Sequence, residues 1–332
     1  MTVMHENEKR KFISILQILN AVDTPIGGAK IAEKLREIGL DISQRTARYY
    51  LQKMDREELT INLGKIGRKI SPKGQEELKS SFIIEKVGLV SSKIASLTYL
   101  MDFSLEQLQG KIILNLSKFH KQYLFKAFQQ MKAVFEAGLG MGRYVFLGYP
   151  GTNIDNIKIG NDTVFFGTVC SVTLNGILLK AGIPTTSRFG GILQFDKWQP
   201  LRFKEAINYD GTSIDPLEIF IKGGMTSIKK LTATGNGLIG ASFREFPSVA
   251  LPAVEKIKKR LEEVGLGGIV MLGKPGRPLL DIPVSEGSTG MIVVGGLNPL
   301  AAVEETGIPT ENLAMKLLFN FNKMVPYTEI KL

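Results

Sequence analysis

From Ser43 to Lys53 the chain reads Ser-Gln-Arg-Thr-Ala-Arg-Tyr-Tyr-Leu-Gln-Lys. Arginine can fork onto the O6 and N7 of guanine, glutamine can pair with the adenine edge, and serine or threonine at a helix start can donate to phosphate. Ser43 is a favoured N-cap, and in a helix beginning there Ala47, Leu51 and Met54 fall on the inward face. Gln44, Arg45, Arg48, Tyr49, Gln52 and Lys53 then face outward, with Ser43 and Thr46 beside the N-terminus, where a phosphate is favoured. Such a face reads duplex DNA or is simply a solvated helix surface. The elements around it decide between the two.

A second group of polar residues lies further along, in Gly167-Thr168-Val169-Cys170-Ser171 and in Gly182-Ile183-Pro184-Thr185-Thr186-Ser187-Arg188-Phe189-Gly190-Gly191. Read as a loop, the second stretch offers three hydroxyls, one guanidinium and two glycine N–H groups to a small carboxylate or phosphate. A surface loop of ordinary turn residues has the same composition, and the residues alone leave both readings open.

Catalytic chemistry finds little material. The two histidines, His5 in the terminal segment and His120 at the expected start of a helix, do not form a pair. Cys170 sits in an apolar strand pattern, which favours a buried small hydrophobe over a nucleophile. Gly268 to Pro275 falls one position short of a phosphate-binding loop and has proline where the magnesium-holding hydroxyl belongs. Gly138, Gly140 and Gly142 lack the spacing of a dinucleotide fingerprint and read as a loop. The chain reads as a non-enzyme with no cofactor.

The elements that must position these residues follow from periodicity. Phe12, Ile15, Leu16 and Leu19 share one helical face, and Ile31, Leu35 and Ile38 share another in a helix stopped by Gly39. The segment from Gln44 to Glu58 is the third helix. Thr60–Leu63 and Arg68–Ile70 form a two-stranded wing around a turn carrying Lys65, and Ser71-Pro72 opens a further helix. Cations on the wing, Lys65 and Arg68, would lie along the DNA backbone. Three helices and a wing make a winged helix-turn-helix over residues 1–80, with Ser43, Gln44, Arg45, Thr46, Arg48, Tyr49, Gln52 and Lys53 on its reading helix.

Residues 81–332 read as an α/β domain with room for two subdomains, so the whole chain is α+β. The pattern gives a helix through Val87, Val90, Ile94 and Leu97, a strand through Tyr99, Met101 and Phe103, a strand from Lys111 to Leu116, and a helix from Phe119 to Ala137. Arg143–Tyr149, Val164–Val172, Leu238–Phe243 and Gly268–Leu272 are further strands, with helices at Leu174–Lys180 and Leu251–Val264. Gly307-Ile308-Pro309-Thr310, after a strand and a short helix, echoes Gly182-Ile183-Pro184-Thr185. This suggests an internal duplication of different spacing, in which Arg188 has no counterpart, or merely two helix stops.

Net charge is +10, and residues 1–80 carry 15 Lys and Arg against 11 Asp and Glu, so most of the surplus lies downstream. An anionic partner is favoured, but the order of elements, and not basicity, points to DNA. One cysteine excludes an intramolecular disulfide framework, and no apolar run approaches ~20 residues. A cytoplasmic chain without a membrane partner is expected.

With the winged helix placed, Gly167–Ser171, Gly182–Gly191 and Asp215-Pro216-Leu217-Glu218-Ile219-Phe220 resemble the NrpR family of archaeal nitrogen-regulation repressors over nearly the whole chain. The resemblance implies a homodimeric repressor that binds inverted-repeat operators and is released by 2-oxoglutarate, a regulatory ligand and not a cofactor. Some members carry two effector domains. This chain has room for one, which implies the single-domain form and a companion NrpR-type protein. Matching positions put the effector at Thr168, Cys170 and Ser171 and at Thr185, Thr186, Ser187, Arg188, Gly190 and Gly191. The alternatives are a winged-helix regulator answering another small anion, and a small-molecule enzyme with an appended winged helix.

Overall fold

The computed structural model describes residues 6–22, 24–37, 40, 42–78, 89–154 and 157–332. The chain divides into two compact units, Met1–Gly88 and Leu89–Leu332. The expected break after Ser80, the helix stop at Gly39, His5 and Val87 all lie outside the described residues.

Unit one contains α1 (Glu6–Asn20), α2 (Gly28–Glu37), α3 (Gln44–Arg56), β1 (Thr60–Asn62), β2 (Arg68–Ile70) and α4 (72–78). Phe12, Ile15, Leu16 and Leu19 of α1 bury against Ile31 and Leu35 of α2 and Leu51 and Met54 of α3. The apolar spacing read from the sequence is therefore the packing. β1 and β2 pair antiparallel, Thr60 opposite Ile70, around the Gly64–Ile66 turn. Ser71 Oγ caps α4 by accepting from the Gly74 N–H at 2.8 Å.

Unit two opens with α5 (Val90–Leu100) and is then built twice over. The first set is β3 (Lys111–His120), α6 (Leu124–Glu136), β4 (Tyr144–Gly148), β7 (Thr163–Val169), α7 (Val172–Lys180) and β8 (Thr186–Asp196), with a small hairpin of β5 (Asn153–Ile154) and β6 (Ile157–Lys158) inserted after β4. Next come β9 (Gln199–Asn208), α8 (Pro216–Lys222) and α9 (Ile228–Thr234). The second set repeats the order: β10 (Gly237–Pro247), α10 (Leu251–Glu263), β11 (Ile269–Leu272), β12 (Ser288–Val294), α11 (Asn298–Glu304) and β13 (Glu311–Asn320), closed by β14 (Val325–Pro326).

Two five-stranded sheets result, ordered β13-β3-β7-β4-β14 and β11-β12-β10-β8-β9. Each set hands its last strand to the sheet of the other, so neither could close its sheet alone. Registers match as well: Leu114 faces Val169 in one sheet, as Ala241 faces Val294 in the other. Even the clamps repeat. Thr173 Oγ1 donates to Ile113 O at 3.1 Å and accepts from its N–H, and Asn298 does the same to Gly240 through its side-chain amide. Counting from Val169 and Val294, Gly182 and Gly307 fall at the same distance, so the duplication keeps the spacing that the sequence reading took to differ. Both glycines have left-handed φ, +76° and +79°, and also end their helices.

Three expectations fail here. Tyr99 belongs to α5, and Met101 and Phe103 lie beyond it without strand structure, because both side chains turn into the core. Phe119 and His120 finish β3, and the following helix starts only at Leu124, because pairing with β7 runs on to His120 opposite Thr163. Thr186–Gly191 is not a loop but the first half of β8, between β10 and β9. No helix among the described residues is long and apolar enough to cross a membrane.

Candidate functional site

The outer face of α3 is set by its cap. Ser43 Oγ accepts from the Thr46 N–H at 3.1 Å and shares a 2.9 Å hydrogen bond with Thr46 Oγ1, which fixes the helix start. Gln44, Arg45, Arg48, Tyr49 and Gln52 are exposed, and Ala47, Tyr50, Leu51 and Met54 are buried. The stem of Arg48 crosses Gly28 at the start of α2, where an added Cβ would approach its Cγ to 2.9 Å. Lys65 stands exposed on the turn of the wing, with Lys69 exposed beside it.

Two of the expected DNA contacts also make contacts within the domain. Lys53 is half-buried with its ammonium 5.6 Å from the Phe12 ring centroid, so its stem packs on α1. Arg68 points back into the domain and pairs with Asp55 at 2.8 Å, Nε adding bonds to both carboxylate oxygens. Thr60 and Asn62 also donate to Asp55, so one carboxylate at the end of α3 ties down both wing strands. Tyr50 is an inward anchor that the sequence reading missed, edge-on to Phe12 at 5.9 Å.

Burial alone would raise the Asp55 carboxyl, but the hydrogen bonds and charge of Arg68, with Thr60 and Asn62, hold it below its ordinary value. A depressed folded pKa contributes stability above the unfolded value, about 3.9, and that stability is lost as pH falls through the folded value. The wing should therefore loosen in acid, and Asp55→Ala should cost about 1–3 kcal/mol at pH 7 and leave a flatter acid limb. Thermal melts of the two proteins between pH 7 and 3 check both statements; parallel curves would dissociate Asp55 from wing stability.

In the second unit, Gly190 and Gly191 are in ladder register with Ser242 and Ala241 of β10 and with Ile207 and Ala206 of β9. The expected cradle of N–H groups therefore sits inside a sheet. These positions are glycine for close approach: a Cβ on Gly190 would meet Pro216 at 2.9 Å, and one on Gly191 the Glu205 carbonyl at 2.5 Å. Arg188 pairs with the buried Glu245, whose other oxygen accepts from Ser285 at 2.6 Å. Ser187 accepts from Asn175 at 3.0 Å, and Thr168 from Asn115 at 3.4 Å. Among the described residues neither Thr185 nor Thr186, at the start of β8, hydrogen-bonds to Thr168, Cys170 or Ser171; Thr185 Oγ1 donates to Ile183 O at the limit of 3.5 Å.

What the structure does bring to Cys170 and Ser171 is Arg244 of β10, which the sequence reading passed over at the end of an apolar strand. Among the described residues it is the largest fully buried side chain, 1% exposed. Its Nη1 donates to Ser171 O at 2.8 Å and to Asn175 Oδ1, and its Nε to Ser242 Oγ at 3.3 Å. All three acceptors are neutral, and among the described residues no carboxylate lies within 4.0 Å of it. Burial accordingly lowers its pKa from the ordinary arginine value. In the duplicated set, Ser117 holds the equivalent place by register, so this junction forms without a cation.

Around Arg244 stand the buried Tyr209, whose hydroxyl burial pushes up, and Asp215, which caps α8 by accepting from the Leu217 N–H at 2.8 Å. Burial raises the Asp215 carboxyl, and that of Glu218 one turn further on. It also pushes the Cys170 thiol up to about 12. At neutral pH Cys170 should therefore stay unmodified by an aromatic disulfide reagent in the native chain and react fully in denaturant, a thiol count that takes minutes. Two surface clefts of about 260 and 330 Å³ lie elsewhere. The cations near the larger are already paired, Lys118 with Glu311 and Lys121 with Asp162. Among the described residues no three His, Cys, Asp or Glu side chains could hold a metal ion.

Comparison with known proteins follows the two units. Residues 87–326 match the family of NrpR regulatory domains NRD1 and 2, and residues 13–78 match the ribonuclease R winged-helix domain. The global nitrogen regulator NrpRI of Methanosarcina mazei is 34% identical over 322 residues, covering 97% of this chain and 99% of its own. The global nitrogen regulator NrpR of Methanococcus maripaludis is also 34% identical, over 318 residues, and there the match spans 55% of the relative. A crystal structure of a nitrogen repressor-like protein from Methanococcus jannaschii superposes with a TM-score of 0.60 at 29% identity, over 72% of this chain and 99% of that one.

Proposed function

The chain belongs to the NrpR family of nitrogen regulators, and on that premise we propose that it is a repressor whose grip on an operator is released by 2-oxoglutarate. A winged helix joined to NrpR regulatory domains makes it a DNA-binding transcription regulator. Operator contact falls to Gln44, Arg45, Arg48, Tyr49 and Gln52, with Lys65 of the wing on phosphate, and a homodimer would set two such helices on an inverted repeat. A companion NrpR-type protein fits the match to a little over half of the Methanococcus maripaludis relative.

The effector reading rests on Arg244. A buried guanidinium whose hydrogen bonds all go to neutral acceptors has only the longer-range charge of Asp215 to offset its desolvation, and a carboxylate arriving beside it offsets more of that cost. Ser171, Asn175, Ser242, Tyr209 and Cys170 complete the surroundings, and Arg188 is secondary because Glu245 already holds it. Linkage then does the rest: an effector that prefers the arrangement with poor operator fit lowers operator affinity by its differential affinity.

Fluorescence anisotropy of labelled operator with 2-oxoglutarate rising to millimolar levels tests this, beside a thermal-shift panel of 2-oxoglutarate, glutamine and nucleotides. Operator that stays bound sinks the inducer assignment. A shift by another carboxylate alone keeps the site and changes the metabolite. A nucleotide shift would favour an enzyme carrying a winged helix.

A further inference from the structure

β13 is interrupted where it passes the Arg244 group. Leu313 faces Leu116 and Leu317 faces Leu114, so Ala314, Met315 and Lys316 stand opposite Asn115 alone. Met315 is 1% exposed and has φ +49°, a left-handed conformation that a long side chain adopts only under constraint. A bulge removes backbone groups from the ladder, and here side chains from three elements take them up. The Ala314 N–H donates to Glu218 Oε1 of α8 at 2.5 Å, Ala314 O accepts from Lys93 Nζ of α5 at 3.1 Å, and the Met315 N–H donates to Asn115 Oδ1 of β3 at 3.1 Å. The Met315 N–H also lies against the Cys170 sulfur.

Helix α5 is held to this region a second time. The Val90 N–H, its first, donates to Thr212 O at 2.9 Å, three residues before Asp215. The segment from Thr212 to Glu218 thus grips α5 at one end directly and in its first turn through the Ala314 bulge. α5 is also the first helix of the second unit, joined by the chain to the winged helix that precedes it.

We infer that the Ala314–Met315 bulge, clamped by Lys93 and Glu218, couples the Arg244 site to α5, and that Lys93 and Glu218 are positioning residues for release and not effector contacts. The inference rests on the reading that a small carboxylate binds beside Arg244. Such a ligand changes the charge around Arg244, to which Asp215 and Cys170 are electrostatically coupled, and these two bear on Glu218 and on the Met315 N–H. Displacing either changes which groups can hold the bulge, and Lys93 carries that change into α5. The strain gives the switch its direction: a left-handed backbone held by three side chains relaxes when one grip is lost.

The test uses the full chain and the variants Lys93→Met, Glu218→Gln and Lys93→Arg. Calorimetry with 2-oxoglutarate should give Kd values within about threefold of wild type, because Lys93 and Glu218 bond to Ala314 and not to Arg244 or its acceptors. The ratio of operator affinity without and with saturating 2-oxoglutarate should fall from tenfold or more to below about threefold in Lys93→Met and Glu218→Gln, and return in Lys93→Arg, in the range typical of allosteric coupling. Hydrogen exchange across residues 90–100 should rise in the first two variants without ligand. Variants that bind 2-oxoglutarate and keep the wild-type release ratio overturn the coupling while leaving the effector reading intact. If wild-type operator is not released at all, the effector reading fails, and the clamp is judged by exchange alone: unchanged protection of α5 in both variants overturns it.

Discussion

Replacing Arg244 with methionine is expected to abolish the effector response while leaving the protein folded and its operator affinity intact. A guanidinium in the core is costly to desolvate, and methionine, of similar length, removes that cost at the expense of the hydrogen bonds the guanidinium made. Ser171 O, Asn175 Oδ1 and Ser242 Oγ lose a donor in the variant. Against that loss stands the duplicated junction around Ser117, which forms with no cation at all. A carboxylate that relied on a desolvated, forked guanidinium loses about 2–5 kcal/mol when the fork is removed, a drop of roughly thirtyfold or more in affinity. Arg244→Lys keeps the charge without the fork and should fall between the two. Calorimetry with 2-oxoglutarate and a thermal melt separate the roles. A methionine variant that binds as wild type removes Arg244 from the site, and one whose melting temperature collapses makes the guanidinium a structural tie.

The second large effect belongs to α3. Arg45→Ala and Arg48→Ala should each lower operator affinity by about 1–3 kcal/mol, roughly five- to 150-fold, with no loss of helix, since alanine is the best helix former and both side chains point outward. Salt dependence tells a base contact from a phosphate contact. Losing a phosphate contact weakens binding to all sequences and lowers the slope of log K against log salt by about one, whereas losing a base contact relaxes discrimination at one position. Arg48 should show the larger effect, because its stem lies across Gly28 and gives up less freedom on binding. Full operator affinity in both variants at physiological salt would reassign this face to solvent. The same substitution at Arg68 is a control: it should lower the melting temperature of the winged helix through Asp55, with only a secondary effect on DNA.

The winged helix was legible because its determinants are local. Helical spacing of Phe12, Leu16, Ile31, Leu35, Leu51 and Met54 names the buried faces, Ser43 names a helix start, and the Gly64–Gly67 turn names the wing. Arg68 and Lys53 also make contacts inside the domain that the residues do not announce, because exposure is a property of the fold. Nothing near Arg68 in the chain announces Asp55, thirteen residues away, as its partner.

The second unit shows the same division more sharply. Its strands and helices, and the repeat of Gly-Ile-Pro-Thr, are present in the order of residues, and that order with Gly167–Ser171 and Asp215–Phe220 was enough to point to the family. Tertiary structure alone decided what the polar residues do. Strand exchange between the two sets puts Thr186–Gly191 inside a sheet, where its N–H groups meet strand partners instead of an anion, and gives Arg188 to Glu245. The same exchange carries Arg244, an inconspicuous residue late in an apolar strand, to Ser171 and Asn175 some seventy residues earlier. The order of residues fixes which elements form, because helix and strand periods are read over a few neighbours. It does not fix which charges end without a hydrogen-bonded counter-ion, because that depends on contacts between strands that lie far apart in the chain.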